Sequence, residues 1–98
     1  MVEIPVIYKP AAICEFQEAM AYYNAIERTL AERLEVAVES TVREIVAYPD
    51  RYPVVLGRTR QAIVPIFPYS IFFCRRATAI VIIAIYHHSR KPFGWRRR

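Results

Sequence analysis

RQAIVPIFPYSIFFCRRATAIVIIAIYHH, residues 60–88, decides the fold. It holds three runs of β-formers, Arg60 to Ile66, Tyr69 to Arg75 and Ala79 to His87, broken at Phe67-Pro68 and at Arg76-Ala77-Thr78. Connections this short predict an antiparallel meander. Ile80 to Ile85 is apolar at every position, so its strand is expected at the buried centre of the sheet. Pro65 has no N–H to give a ladder and points to an edge.

Working back toward the N-terminus, the periodicity changes from two to about 3.6. Tyr48-Pro49 closes a helix, because the residue before a proline disfavours the helical region. Its apolar stripe is Leu30, Leu34, Val38, Val42 and Ile45, and Thr29-Leu30-Ala31-Glu32 matches a capping box at its start. An earlier helix opens at Lys9-Pro10, with Ala12, Phe16, Ala19, Tyr23 and Ile26 as its stripe and Glu15, Glu18 and Glu27 outside it. Val2 to Tyr8 reads as a first strand, with Pro5 placing it near an edge or bulge. The order is β-α-α-β-β-β. This predicts an α+β fold in which a helical hairpin packs on one face of a curved, mainly antiparallel four-stranded sheet.

Composition narrows the function. The 98 residues predict a single domain, 1–98, with a basic C-terminal tail, 90–98. All nine Asp and Glu residues lie between Glu3 and Asp50; from Arg51 onward there are ten Lys and Arg and no acid. The first half therefore carries four basic minus nine acidic charges, −5, and the second carries +10. Such a surface attracts an acidic partner. Two-carboxylate hydrolysis, or a carboxylate-bound Mg²⁺, would have to draw every acid from a first half whose acids mostly sit at helical spacing and read as solvated. Cys14 and Cys74, far apart in sequence, read as reduced core thiols, and no metal or cofactor site is expected. Ala77 to Tyr86, the longest apolar stretch, is about half the ~20 residues of a membrane span. Met1-Val2-Glu3-Ile4-Pro5 lacks the regions of a signal peptide, so a cytoplasmic location is expected.

His87 and His88 are candidates for acid and base near neutral pH, with Arg60 and Arg90 as phosphate clamps. If the strand runs through both, alternation puts His87 with Ile83 and Ile85, and His88 with Ala84 and Tyr86, so at most one joins a given groove. Arg90, Lys91, Trp95 and Arg96 to Arg98 form a basic segment containing an aromatic, which suits a nucleic-acid backbone or an acidic protein. Pro92 and Trp95 argue that its first part is docked on the body.

Tyr48-Pro49-Asp50-Arg51-Tyr52-Pro53, Phe67-Pro68-Tyr69-Ser70-Ile71-Phe72-Phe73, and His87-His88-Ser89-Arg90-Lys91-Pro92 with Trp95 occur in an order and spacing that resemble the ParE/RelE toxin superfamily, and the ParE branch most. The resemblance covers nearly the whole chain. It implies the toxin of a type II toxin–antitoxin, or plasmid stabilisation, system, acting on DNA gyrase and neutralised by a cognate antitoxin. The implied alternative is a ribosome-dependent, metal-independent mRNA endoribonuclease of RelE type, with His87, His88, Arg60 and Arg90 as its site. Under the gyrase reading no covalent chemistry is assigned. The target-binding set is then Arg60, Arg90, Lys91, Trp95, Arg96, Arg97 and Arg98, and the antitoxin-binding set is Phe16, Met20, Tyr22 and Tyr23. A homodimer or a toxin–antitoxin hetero-oligomer is compatible with this. Ser70 departs from the Arg that such relatives carry after Phe-Pro-Tyr, and the preceding strand offers Arg60, Gln61 and Ala62 in place of a lysine cluster.

Overall fold

The computed structural model describes residues 4–98; the expected start of the first strand at Val2 and Glu3, and the Met1 to Glu3 part of the segment read for a leader, lie outside them. The elements run β1 Val6–Tyr8, α1 Pro10–Ile26, α2 Arg28–Ala47, a single 3-10 turn Pro49–Arg51, β2 Val54–Leu56, β3 Thr59–Ile63, β4 Tyr69–Arg75 and β5 Ile80–His87. Both expected helices are present. Lys9 is the extended residue before Pro10, where the missing proline N–H costs no hydrogen bond. Only Glu27, also extended, separates α1 from α2. The second helix therefore starts before Thr29. The Thr29 hydroxyl donates to the Glu27 carboxylate at 2.8 Å instead of accepting from a helix N–H, so the expected capping box does not form.

Among the described residues the sheet has five strands, not four, in the order β1-β5-β4-β3-β2. The added strand, β2, is three residues between Pro53 and Gly57, too short to show a period of two. It reaches β3 through the two-residue turn Gly57-Arg58, and Gly57 supplies the positive φ, +56°, that such hairpins need. With β2 outside it, β3 is interior, and Pro65 lies in the β3–β4 connection and not on an edge strand. That connection is tight: Phe67 N–H donates to Pro65 O at 2.8 Å around Ile66, whose φ is +73°. The meander β2-β3-β4-β5 is antiparallel, and β1 adds parallel to β5. As expected, β5 is interior and buried along nearly its whole length.

A bulge interrupts the strict alternation. Phe72 pairs with Ala84 and Phe73 with Ile82, which leaves Ile83 without a partner. Ile83 consequently packs with Ala84 and Tyr86, whereas Ile80, Ile82 and Ile85 face the helices. The expected pairing of Ile83 with Ile85 on one face is therefore wrong, because the extra residue resets the period.

Each face of the sheet has its own core. On one, Ala12, Ala19, Leu34, Val38, Val42 and Ile45 of the helices meet Ile71, Phe73, Ile80, Ile82 and Ile85. On the other, Phe72, Val81, Ile83 and Tyr86 are covered by the C-terminal tail, where Trp95 stacks on Phe72 with ring centroids 4.3 Å apart. Three burial expectations change. Ile26 is exposed because α1 ends there, beyond the sheet's reach; Cys14 is an exposed thiol, while Cys74 is buried; and Glu15 is buried. No helix among the described residues is long and apolar enough to cross a membrane.

Candidate functional site

The tail-covered face contains a groove of about 320 Å³. Its floor is a hydrogen-bond chain: Gln61 Nε2 donates to Ser70 Oγ at 2.9 Å, and Ser70 Oγ shares a hydrogen bond with His88 Nε2 at 2.9 Å. Register explains the first contact. Ile63 pairs with Ser70 and Gln61 with Phe72, so Gln61 and Ser70 are diagonal neighbours on the helix-free side. Its walls are aromatic, from Phe72, Tyr86, Phe93 and Trp95.

Both histidines line this groove, contrary to the expectation that at most one would. The strand stops at His87, so alternation does not extend to His88, whose backbone N–H donates to Pro68 O at 2.8 Å in a turn. His87 Nδ1 accepts the Ser89 N–H at 3.0 Å and lies 2.7 Å from Ser89 Oγ, while its ring sits edge-on to Tyr69 at 5.0 Å. Arg90 joins them, with its guanidinium 4.2 Å from the Tyr86 ring centre.

Glu15 organises this end of the molecule. It sits on the flank of α1 and is 9 % exposed. The Ile85 backbone N–H donates to its Oε1 at 3.0 Å, Arg90 Nη1 donates to its Oε2, and Arg98 donates to both oxygens at 2.7 Å. A buried carboxylate demands such partners. Donating these hydrogen bonds to the Glu15 carboxylate raises the Arg98 pKa, against the lowering effect of its burial. Sequence reading missed this role because its partners are 70 to 83 positions away.

Arg60 is placed elsewhere. It pairs in register with Phe73, which faces the helices, and its Nη1 donates to Tyr52 O at 2.6 Å and Asp50 O at 3.4 Å. It braces the turn before β2, so the structure groups His87, His88 and Arg90 but leaves Arg60 out. In the tail, Trp95 is a core side chain at 2 % exposure, and Lys91, Arg96 and Arg97 are exposed.

Phe16, Met20, Tyr22 and Tyr23 do not line one groove. Phe16, Met20 and Tyr23 pack half-buried on the helix-side core. Phe16 also opens into a groove of about 220 Å³ with Tyr8, Ile13, Val38 and Glu39. Tyr22, 61 % exposed and edge-on to Tyr23, lines a second opening with Glu18, Tyr69, His87 and Arg90. Tyr8 and Ile13 were not singled out from sequence; Ile13 lies one position beyond the Ala12 stripe, and Tyr8 ends a strand whose outer edge is unpaired.

A family model described as the ParE toxin of the type II toxin–antitoxin system, parDE, matches residues 6–92. No curated protein matches the chain. Among solved structures, the chromosomal ParDE TA system from P. aeruginosa is similar with a TM-score of 0.75 and 13 % identity, over 87 % of this chain and 96 % of that one. At that identity the likeness shows the fold.

Proposed function

The chain belongs to the ParE toxin family of type II toxin–antitoxin systems, and on that premise we propose that it poisons DNA gyrase, is neutralised by a cognate antitoxin, and works in the cytoplasm as the toxic half of a plasmid-stabilising pair. The match over residues 6–92 carries this reading. The charge split supports it, since a +10 second half suits a polyanionic enzyme–DNA complex. Lys91, Arg96 and Arg97, with the half-exposed Arg90 beside them, are the target-facing cations in this proposal, and Arg60, held by Tyr52 O and Asp50, is not one of them. Trp95 and Arg98 hold the segment that presents them. The toxin acts by binding, with no covalent step of its own. An acidic or amphipathic antitoxin segment takes Phe16, Met20, Tyr22 and Tyr23, where partly exposed aromatic and thioether surface gives it something to bury.

The test is a supercoiling assay with purified gyrase, relaxed plasmid and this protein. Lost supercoiling together with accumulated linear DNA supports the reading, and folded protein at micromolar concentration with neither effect overturns it. The antitoxin part is tested by co-purification with the product of a neighbouring small reading frame.

One observation favours the second reading, ribosome-dependent mRNA cleavage: His87, His88 and Arg90 line a single groove. Attack by a 2′-hydroxyl needs a base, an acid and a cation, and these three side chains are of the right types. Cleavage of mRNA during translation that disappears in His88→Ala would establish it.

A further inference from the structure

We propose that Lys91, Arg96 and Arg97, together with the Phe93 ring, form a binding site for single-stranded DNA. The tail carrying them is fixed in place. Trp95 is buried against Phe72, Arg98 is held by Glu15, and the Tyr86 hydroxyl donates to Lys91 O at 2.7 Å. Backbone bonds from Gly94 to Lys91 O and from Arg96 to Phe93 O shape the turns between. Glu15 takes Arg90 and Arg98, and among the described residues no carboxylate pairs with Lys91, Arg96 or Arg97. These three surround a concavity of about 330 Å³ with Phe93 and Gly94. Three exposed cations carried around a hollow by an anchored backbone suit phosphate groups.

Phe93 points to a nucleic-acid strand as the ligand. Its backbone is in the left-handed region, φ +60°, which is unfavourable for a bulky side chain, yet the residue is 42 % exposed, with its ring tilted against Trp95 at 5.7 Å on one side only. Burial therefore recovers only part of the strain. An exposed aromatic beside three cations matches stacking on a base while the cations track the phosphates. An acidic protein segment would use the cations and leave the ring idle, and an intact duplex would hide its base faces. The proposal rests on the gyrase reading only for the source of the strand, a break in target DNA.

The test is fluorescence anisotropy with a labelled single-stranded DNA oligonucleotide, a blunt duplex, single-stranded RNA and polyglutamate, without gyrase, across a salt series. Single-stranded DNA should bind, with a slope of log affinity on log salt of about −2 for three phosphate contacts. The variant Lys91→Ala/Arg96→Ala/Arg97→Ala should bring that slope near zero. Phe93→Gly should weaken single-strand binding roughly tenfold, a stacking-sized loss, with Tm nearly unchanged, because the ease of glycine in the left-handed backbone offsets the lost contact with Trp95. Undetectable binding, an unchanged slope in the triple variant, or tighter binding to RNA, duplex or polyglutamate would overturn the site. Gyrase is absent from this assay, so its failure leaves the supercoiling result standing, and the converse also holds.

Discussion

On one face of the sheet, helices of 17 and 20 residues bury stripes of small and branched side chains against Ile71, Phe73, Ile80, Ile82 and Ile85. On the other, the last residues of the chain cover Phe72 and Tyr86 with one indole, and hold it there with one carboxylate and one tyrosine hydroxyl. The helix side distributes its burial over many contacts, so the loss of one side chain leaves the rest in place. The tail side depends on a few contacts in series. A binding surface can be presented by such a segment because its buried anchors fix its backbone on the sheet while its remaining side chains face outward.

The largest test of this contrast is Trp95→Ala, expected to cost about 3–5 kcal/mol in urea unfolding, as for other fully buried aromatics. Leu34→Ala, at about 2–5 kcal/mol, should shift the whole transition, while Trp95→Ala should also release the tail to proteolysis. Coincident protease resistance in both variants would break the contrast.

Next in size is Glu15→Gln, expected to cost about 3 kcal/mol because it leaves the partly buried Arg98 without its counter-charge. Glu18→Gln, at the exposed neighbour, should lie within about 0.5 kcal/mol of wild type. Thermal melts of the two variants check the pair.

Gly94→Ala should cost about 2 kcal/mol, since a Cβ there would sit 2.1 Å from the Tyr86 hydroxyl oxygen and displace the bond to Lys91 O. Adding Tyr86→Phe should recover part of that loss, which a double-mutant cycle would read.

A smaller effect belongs to the helix side. Burial raises the pKa values of Tyr8, Tyr23, Tyr52 and Tyr69, with Glu39 adding to Tyr8 and Glu44 to Tyr52. A raised folded-state value means the folded protein holds these protons more tightly. Their contribution is complete below the unfolded pKa of about 10 and is lost as pH rises through the folded values. Denaturant midpoints should therefore be flat up to about pH 9 and fall above pH 10. The smallest change is expected for Thr29→Ala, within about 0.5 kcal/mol, in contrast to the ~1 kcal/mol of a true N-cap.

Much of the fold was legible because its signals are local. Lys9-Pro10 and Tyr48-Pro49 bracket the helices through backbone sterics, and β4 lies where Tyr69 to Arg75 was read. The misreadings arose where a local rule met a longer-range fact. Strand β2 has too few residues to show a period, and Ile83 occupies a bulge that only pairing with β4 can reveal. At the candidate site, His87, His88 and Arg90 were found by residue type. Gln61 and Glu15 were missed because neither belongs to a motif.

By itself the sequence determined the two helices, the β meander, the charge split and the family resemblance. The first three depend on neighbours within a few positions or on composition, and the resemblance on the order and spacing of short motifs along the chain. The tertiary structure decided which cations are available. Of the cations singled out from sequence, Arg60 is taken by a turn, and Arg90 and Arg98 by Glu15, leaving Lys91, Arg96 and Arg97 displayed. A charge can be counted from sequence, but its freedom depends on how near its counter-charge lies, and residues 83 positions apart become neighbours only when the chain folds.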